Sequence, residues 1–272
     1  MNNKFSELTN KAAETAVAAG KILLDGFGTN FKISSKEGRN NLVTEYDLKS
    51  EKFIIDQLHT AFPKHTFLAE ESGISKFNNN EQEIVWVIDP LDGTVNYAHN
   101  LPVFSVSIAA CRGKEILCGV IYQPVLNELF IAEQNNGSYM NGKRIHVSDS
   151  EKFPSSFLVT GFPYNVNSNP QYCIDSFVDI ILEGIPIRRL GSAAMDLAYV
   201  ACGRFDGFFE INLKPWDVAA GALLVKEAGG IVTQYDNSEY FIDAPSILAS
   251  NQHIHNDIYK VLKKNYRLNE KA

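Results

Sequence analysis

An unbroken apolar run, Ile84-Val85-Trp86-Val87-Ile88, leads directly into Asp89-Pro90-Leu91-Asp92-Gly93-Thr94. No other feature constrains the chain as much. The run reads as a β-strand. Proline cannot continue a central strand and glycine accepts backbone angles that other residues avoid, so the chain is expected to leave the sheet here. It would then present two carboxylates and exposed amides at the sheet's edge. Two acids held at a rigid strand end are costly unless they bind something, and hard oxygen ligands in a tight turn suit magnesium, which keeps several waters and shares its shell with phosphate. Read alone, such a turn can equally be an acidic segment that merely ends a strand.

The chain has 272 residues, 45% of them hydrophobic, enough to bury a substantial core as one large domain or two smaller ones. The opening residues Met1 to Glu7 lack the apolar stretch of a signal peptide, and the longest apolar runs, such as Val103 to Cys111, are far short of the ~20 residues of a membrane span. A cytoplasmic protein without membrane contact is expected. Cys111, Cys118, Cys173 and Cys202 show no Cys-x-x-Cys spacing, so they read as buried or incidental thiols. Net charge is −7 with no sustained block of Lys or Arg, which argues against direct nucleic-acid binding. A negative protein that handles an anionic phosphoester needs local positive charge, and bound divalent cations can supply it.

Periodicity divides the chain. Phe5, Leu8, Ala12, Ala16, Ala19, Leu23 and Phe27 mark a helix over residues 5–27, and Leu48, Phe53, Ile54, Leu58 and Phe62 mark another over 46–62 that Pro63 stops. Lys32 to Asn41 reads as a mobile loop or an exposed hairpin. Strands are expected at 66–69, 84–88, 105–112, 116–123 and 129–132, with a hairpin turning at Asn141-Gly142. Beyond residue 150, strands at 157–160, 187–190, 207–211 and 231–233 alternate with helices at 175–182, 193–202, 218–227 and 256–266. Two intimately packed halves are expected, residues 1–149 and 150–272.

Other acids lie in comparable places. Glu70 and Glu71 follow a strand, and Trp216-Asp217 opens an apolar helix, where Asp has an ordinary explanation as an N-cap. Glu210 follows Phe208-Phe209 and reads either as a site acid or as an edge-strand surface acid.

In combination these segments resemble the inositol monophosphatase family. The resemblance rests on Asn41-Leu42-Val43-Thr44-Glu45-Tyr46-Asp47, Glu70-Glu71-Ser72, Asp89 to Thr94, Gly191-Ser192-Ala193-Ala194 and Trp216-Asp217, and it runs from about residue 5 to 265. It implies an α+β fold, a layered α-β-α-β-α sandwich of the sugar phosphatase type, with the site between the halves. It further implies a lithium-sensitive, magnesium-dependent phosphomonoesterase, usually a homodimer, with two to three Mg2+ per site. By the same resemblance Glu70, Asp89 and the Leu91 carbonyl are ligands of a first ion, Asp89, Asp92 and Asp217 of a second, and Glu70 with water of a third. Glu70, Thr94 and Asp47 are assigned to water activation, and the amides of Gly93 and Thr94 to the phosphate. Asp92, Gly191, Ser192, Ala193, Glu210 and Asp217 are assigned to the alcohol of a small polyol or sugar phosphate.

Two positions bear on this likeness: Asn41 stands where many relatives have Asp, and Lys36 lies in a loop from which a lysine often approaches the site. The six histidines form no pattern with the carboxylates. A haloacid dehalogenase-type phosphatase fits poorly, because its two aspartates are separated by one residue, whereas two separate Asp89 from Asp92. Fructose bisphosphate, NADP and 3'-phosphoadenosine nucleotides remain alternative substrates; Val95-Asn96-Tyr97 after Asp-Gly-Thr, in place of Lys and an aromatic, favours the inositol monophosphatase branch. A reading from another class is a binding protein, since some bacterial relatives also act with the transcription machinery.

Overall fold

The computed structural model describes residues 4–35, 42–75 and 83–266. Lys36 and Asn41 lie outside the described residues. In chain order the elements are α1 (Glu7–Gly26), β1 (Ile33–Ser35), β2 (Leu42–Thr44), α2 (Glu45–Ala61), β3 (Thr66–Ala69), β4 (Gly73–Ser75), β5 (Ile84–Asp92) and α3 (Thr94–Ala98). There follow β6 (Ser105–Arg112), β7 (Glu115–Gln123), β8 (Glu128–Glu133), β9 (Gly137–Met140) and β10 (Lys143–Arg144). The remainder comprises β11 (Leu158–Thr160), α4 (Cys173–Leu182), β12 (Ile187–Arg188), α5 (Ala193–Ala201), β13 (Gly207–Ile211), α6 (Pro215–Glu227), β14 (Ile231–Thr233), β15 (Ser246–Ser250) and α7 (His255–Leu262).

Strand period two sorts the core into layers. On β5, Trp86 and Ile88 turn toward α1 and α2, packing with Ala12, Ala16, Leu23, Ile54 and Leu58. Val87, between them, faces the other way, into the core formed with Leu197 of α5 and Leu224 of α6. That second core also takes Phe208 of β13 and Ala249 of β15, so α5 and α6 are sandwiched between two sheets. Phe209, the next residue on β13, points to a third core with Ile180 of α4 and Ile258 of α7. The result is the α-β-α-β-α sandwich. Strands covered on both faces need no polar alternation, which explains the continuous apolar run of β5.

One sheet has eight strands in the order β10-β9-β8-β7-β6-β5-β3-β4, and the other has five, β12-β11-β13-β15-β14. The first is antiparallel apart from β3 with β5. The hairpin turn at Asn141-Gly142 is present, both residues at positive φ, and β1 pairs with β2, the hairpin alternative of the first-half loop.

Three expectations need correction. The chain does not leave the sheet at Pro90: β5 continues to Asp92. The proline is tolerated because β3 is last paired at Ile88 and the β6 ladder slips register between Asp89 and Asp92, so no partner needs its missing N–H. β15, Ser-Ile-Leu-Ala-Ser, was not expected as a strand, yet it is wholly buried between β13 and β14. Leu48 is 55% exposed, and the inward face of α2 instead carries Asp47, Ser50, Glu51, Ile54 and Leu58. The four cysteines are free thiols, three of them buried.

Candidate active site

Every expected site residue except Asp47 lines one cavity of about 870 Å³, and Asp47 stands directly behind Thr94. Glu70 comes from the end of β3, Asp89 to Asp92 from β5, Gly191 to Ala193 from the start of α5, Glu210 from β13 and Asp217 from α6. No single segment could assemble this set.

Local chemistry shapes the β5 terminus. The Leu91 amide donates to Asp89 Oδ1 over 3.0 Å, and Ser50 Oγ on α2 donates to the Pro90 carbonyl over 2.9 Å. Gly93 then turns the backbone with φ +94, where a Cβ would lie 2.9 Å from the Val103 carbonyl oxygen. Thr94 opens α3, its Oγ1 lying 3.0 Å from both Asp47 Oδ1 and the Leu91 carbonyl oxygen. Asp47 is held in turn by a capping box, its Oδ2 accepting from the Thr44 amide at 2.8 Å and from Thr44 Oγ1 at 2.5 Å. A similar device follows Glu70: the Glu51 carboxylate accepts the amides of Glu71 and Ser72, each at 2.8 Å.

Asp92 ties β5 to the start of α5, because its Oδ2 accepts from Ser192 Oγ at 2.6 Å and from the Ala194 amide at 2.8 Å. Asn96 Nδ2 adds donations to the Val103 carbonyl at 2.8 Å and the Leu190 carbonyl at 2.9 Å. Asp217 is not the residue before its helix but the third residue of α6, and its Oδ2 accepts from the Lys214 amide at 2.7 Å. Glu210 is not a surface acid: β13 runs between β11 and β15, and the residue is buried. A Cβ on Gly161 would fall 2.1 Å from Glu210 Oε2, so this glycine leaves the space that the carboxylate occupies.

The acids disturb one another. Burial, then the charges of Glu70, Asp92 and Asp217, drive the Asp89 carboxyl well above its usual range. Burial lifts Asp92 to about 6 against the hydrogen bond from Ser192, raises Asp217 well above normal, lifts Glu210 to about 8 and Asp47 to about 6. Bound cations would favour the ionised forms of Asp89, Asp217 and Glu210, which burial and like charges oppose. Four carboxylates and the Leu91 carbonyl form an all-oxygen donor set, which fits magnesium with waters in its shell. As they stand, no three acids among the described residues are gathered closely enough to hold one ion outright. Asp89, Asp92 and Asp217 each commit an oxygen to a protein donor, so side chains would have to rotate for these acids to share an ion.

The model of the Inositol monophosphatase family matches residues 4–267, nearly the whole chain. The chain belongs to the inositol monophosphatase family. It is 39% identical over 261 residues to an inositol-1-monophosphatase of Mesorhizobium japonicum, covering 95% of this chain and 97% of the relative. It is 40% identical over 248 residues to the Nus factor SuhB of Escherichia coli K12, covering 91% of this chain and 92% of that protein. Among solved structures, the inositol monophosphatase of Anabaena superposes with a TM-score of 0.86 at 40% identity, covering 96% and 97% of the two chains. The chain is thus an inositol-monophosphatase-like phosphoric monoester hydrolase with the family's layered fold.

Within this family site, sequence reasoning missed Ser50, Glu51, Asn96, Gly161, Tyr164 and Asp196. For Ser50 and Glu51 a signal existed: they stand with Asp47, Ile54 and Leu58 at helical spacing, and polar residues on an inward face need partners. Tyr164 also lines the cavity, although it is 63% exposed. No pattern in the chain marks Gly161 or Tyr164.

Proposed function

We propose that the protein is a magnesium-dependent phosphomonoesterase acting on inositol monophosphate or a related small polyol or sugar phosphate. One observation carries this reading: the metal-type carboxylates and a buried acid suited to hydroxyl groups, Glu210, open into the same cavity. Residues 1–149 contribute most of the metal ligands and residues 150–272 complete the metal and substrate site.

Glu70, Asp89 and the Leu91 carbonyl would hold one ion, and Asp89, Asp92 and Asp217 a second, with Asp89 shared. Glu70 with water offers a third position. Magnesium bound there supplies charge for the phosphate oxygens and acidifies water. The chain's own residues do the rest. Thr94 can donate to the Leu91 carbonyl or to Asp47, which leaves its oxygen lone pairs to orient a water molecule. Glu70, which lines the same cavity, is the acceptor for that water's proton. The amides of Gly93 and Thr94 face the phosphate. Gly191, Ser192, Ala193 and Glu210, with Asp92 and Asp217, receive the alcohol. No side chain needs to become phosphorylated.

The decisive experiment is a magnesium-dependent phosphate-release screen over inositol monophosphates, glycerol phosphate, fructose 1,6-bisphosphate, NADP and 3'-phosphoadenosine 5'-phosphate. Highest kcat/KM on an inositol or polyol monophosphate is expected. A clear preference for one of the other three would move the protein to another branch, and no release from any would overturn the reading. The pairing of two copies belongs to the same proposal and is read by light scattering. A binding role beside catalysis has one supporting observation, the 40% identity to a protein named Nus factor. Partner capture that persists in Asp89→Asn would separate that role from turnover.

A further inference from the structure

Asp196 has no part in the reading above. It lies one turn into α5, its amide bonded to the Ser192 carbonyl at 3.0 Å, and it is only 1% exposed. Nevertheless it lines the cavity together with Glu210, Gly161 and Arg189, and the charges of Glu210 and Arg189 both reach it. Its Oδ1 has no hydrogen-bond partner among the described residues. A buried polar atom without a partner is costly, and its occurrence on a cavity-lining residue calls for a functional explanation.

We propose that Asp196 is a specificity-determining residue, pairing with Glu210 to form a two-acid receptor for an alcohol that carries hydroxyl groups beyond the ester oxygen. The inference rests on the phosphomonoesterase reading and extends it. Burial, followed by the charges of Glu210 and Asp92 and opposed by Arg189, drives the Asp196 carboxyl well above its usual range. A neutral carboxyl offers both an O–H donor and a carbonyl acceptor, the complement of a hydroxyl group. Gly161 leaves the Glu210 carboxylate room at the wall. An ester whose alcohol bears no further hydroxyl would leave these acids without that partner. That penalty is the means by which sites built for hydroxyl groups reject analogues lacking them.

The test compares kcat/KM for myo-inositol 1-phosphate and for phenyl phosphate, whose alcohol has no second hydroxyl. In Asp196→Ala the ratio of the two is expected to fall at least about ten-fold, the worth of one good hydrogen bond, with the loss appearing in KM for the inositol ester. Asp196→Asn keeps a donor and an acceptor in place and should recover the ratio to within about three-fold of wild type. A ratio unchanged in Asp196→Ala, with both rates kept or both lost together, would overturn the assignment. So would an Asn variant as unselective as the Ala variant. A wild-type protein that hydrolyses neither ester overturns the phosphatase reading itself, an outcome distinct from an active enzyme indifferent to Asp196.

Discussion

Ser192 Oγ donates to Asp92 Oδ2 over 2.6 Å, a bond between residues 100 positions apart on the two sides of the site. Asp92 is thereby aimed by the half of the chain to which it does not belong. The candidate metal ligands of β5 are tied to the start of α5, the proposed contact with the alcohol.

Removing that link should misalign Asp92 more than it unfolds the protein. Ser192→Ala leaves Asp92 with the Ala194 amide and is expected to cost ~1.5–3 kcal/mol of stability, as for a hydrogen bond to a charged group. The magnesium concentration giving half-maximal phosphate release should rise several-fold. Denaturant midpoints and metal titrations of activity measure the two effects.

Asp89 stands in both proposed ion sites, so Asp89→Asn should lower turnover by orders of magnitude and weaken magnesium binding in calorimetry. Near-normal activity would end the two-ion assignment. Lithium should inhibit the wild-type enzyme by taking a position that magnesium must visit, and activity undiminished at high millimolar lithium would place the protein outside the lithium-sensitive branch.

Glu51 acts on Glu70 at one remove. Its carboxylate accepts two amides of the turn that follows Glu70, and Glu51→Ala would strand both N–H groups in a half-buried turn. A loss of ~2–4 kcal/mol is expected from two unmade bonds to a charged acceptor. Activity should fall mainly through a higher magnesium requirement, and excess magnesium should restore part of it.

His255 makes stability depend on pH. It is buried against Ser250 Oγ at 2.8 Å and Thr233 Oγ1 at 3.0 Å, and burial lowers its pKa to about 4. An unfolded histidine titrates near 6.5, so between these values the unfolded chain binds more protons than the folded one. This contribution is complete above pH ~6.5 and is lost as pH falls toward 4. It amounts to ~2 kcal/mol between pH 7.5 and 5. The raised carboxylates of the cavity act with the opposite sign in metal-free protein, so the quantity to measure is the difference in pH slope between wild type and His255→Gln. Parallel slopes would remove His255 from the account.

The parts legible in advance share a physical cause: they depend on neighbours in sequence. The turn at Asn141-Gly142, the helices with alternating buried faces and the acids of β5 follow from residue type and spacing. The failures depend on distant partners. Whether Pro90 ends a strand depends on what β3 and β6 ask of it, and whether Glu210 faces solvent depends on β11 and β15 flanking it. The strand Ser246–Ser250 has too short an apolar run to announce itself and exists because β13 and β14 supply its hydrogen bonds.

By itself the sequence determined the class of chemistry, since a strand ending in Asp-Pro-Leu-Asp-Gly-Thr concentrates hard oxygen donors within a few residues, and further acids recur at set distances along the chain. The layering was what the likeness of these separated motifs to the family implied, and apolar periodicity agrees with it by requiring covered faces. Only the tertiary structure decided which acids share the cavity and how each is aimed. Burial and like-charge repulsion are set by approach through space, and residues such as Ser192, Glu51, Gly161 and Asp196 take their meaning from neighbours 20 to 100 positions away or from the cavity wall they form.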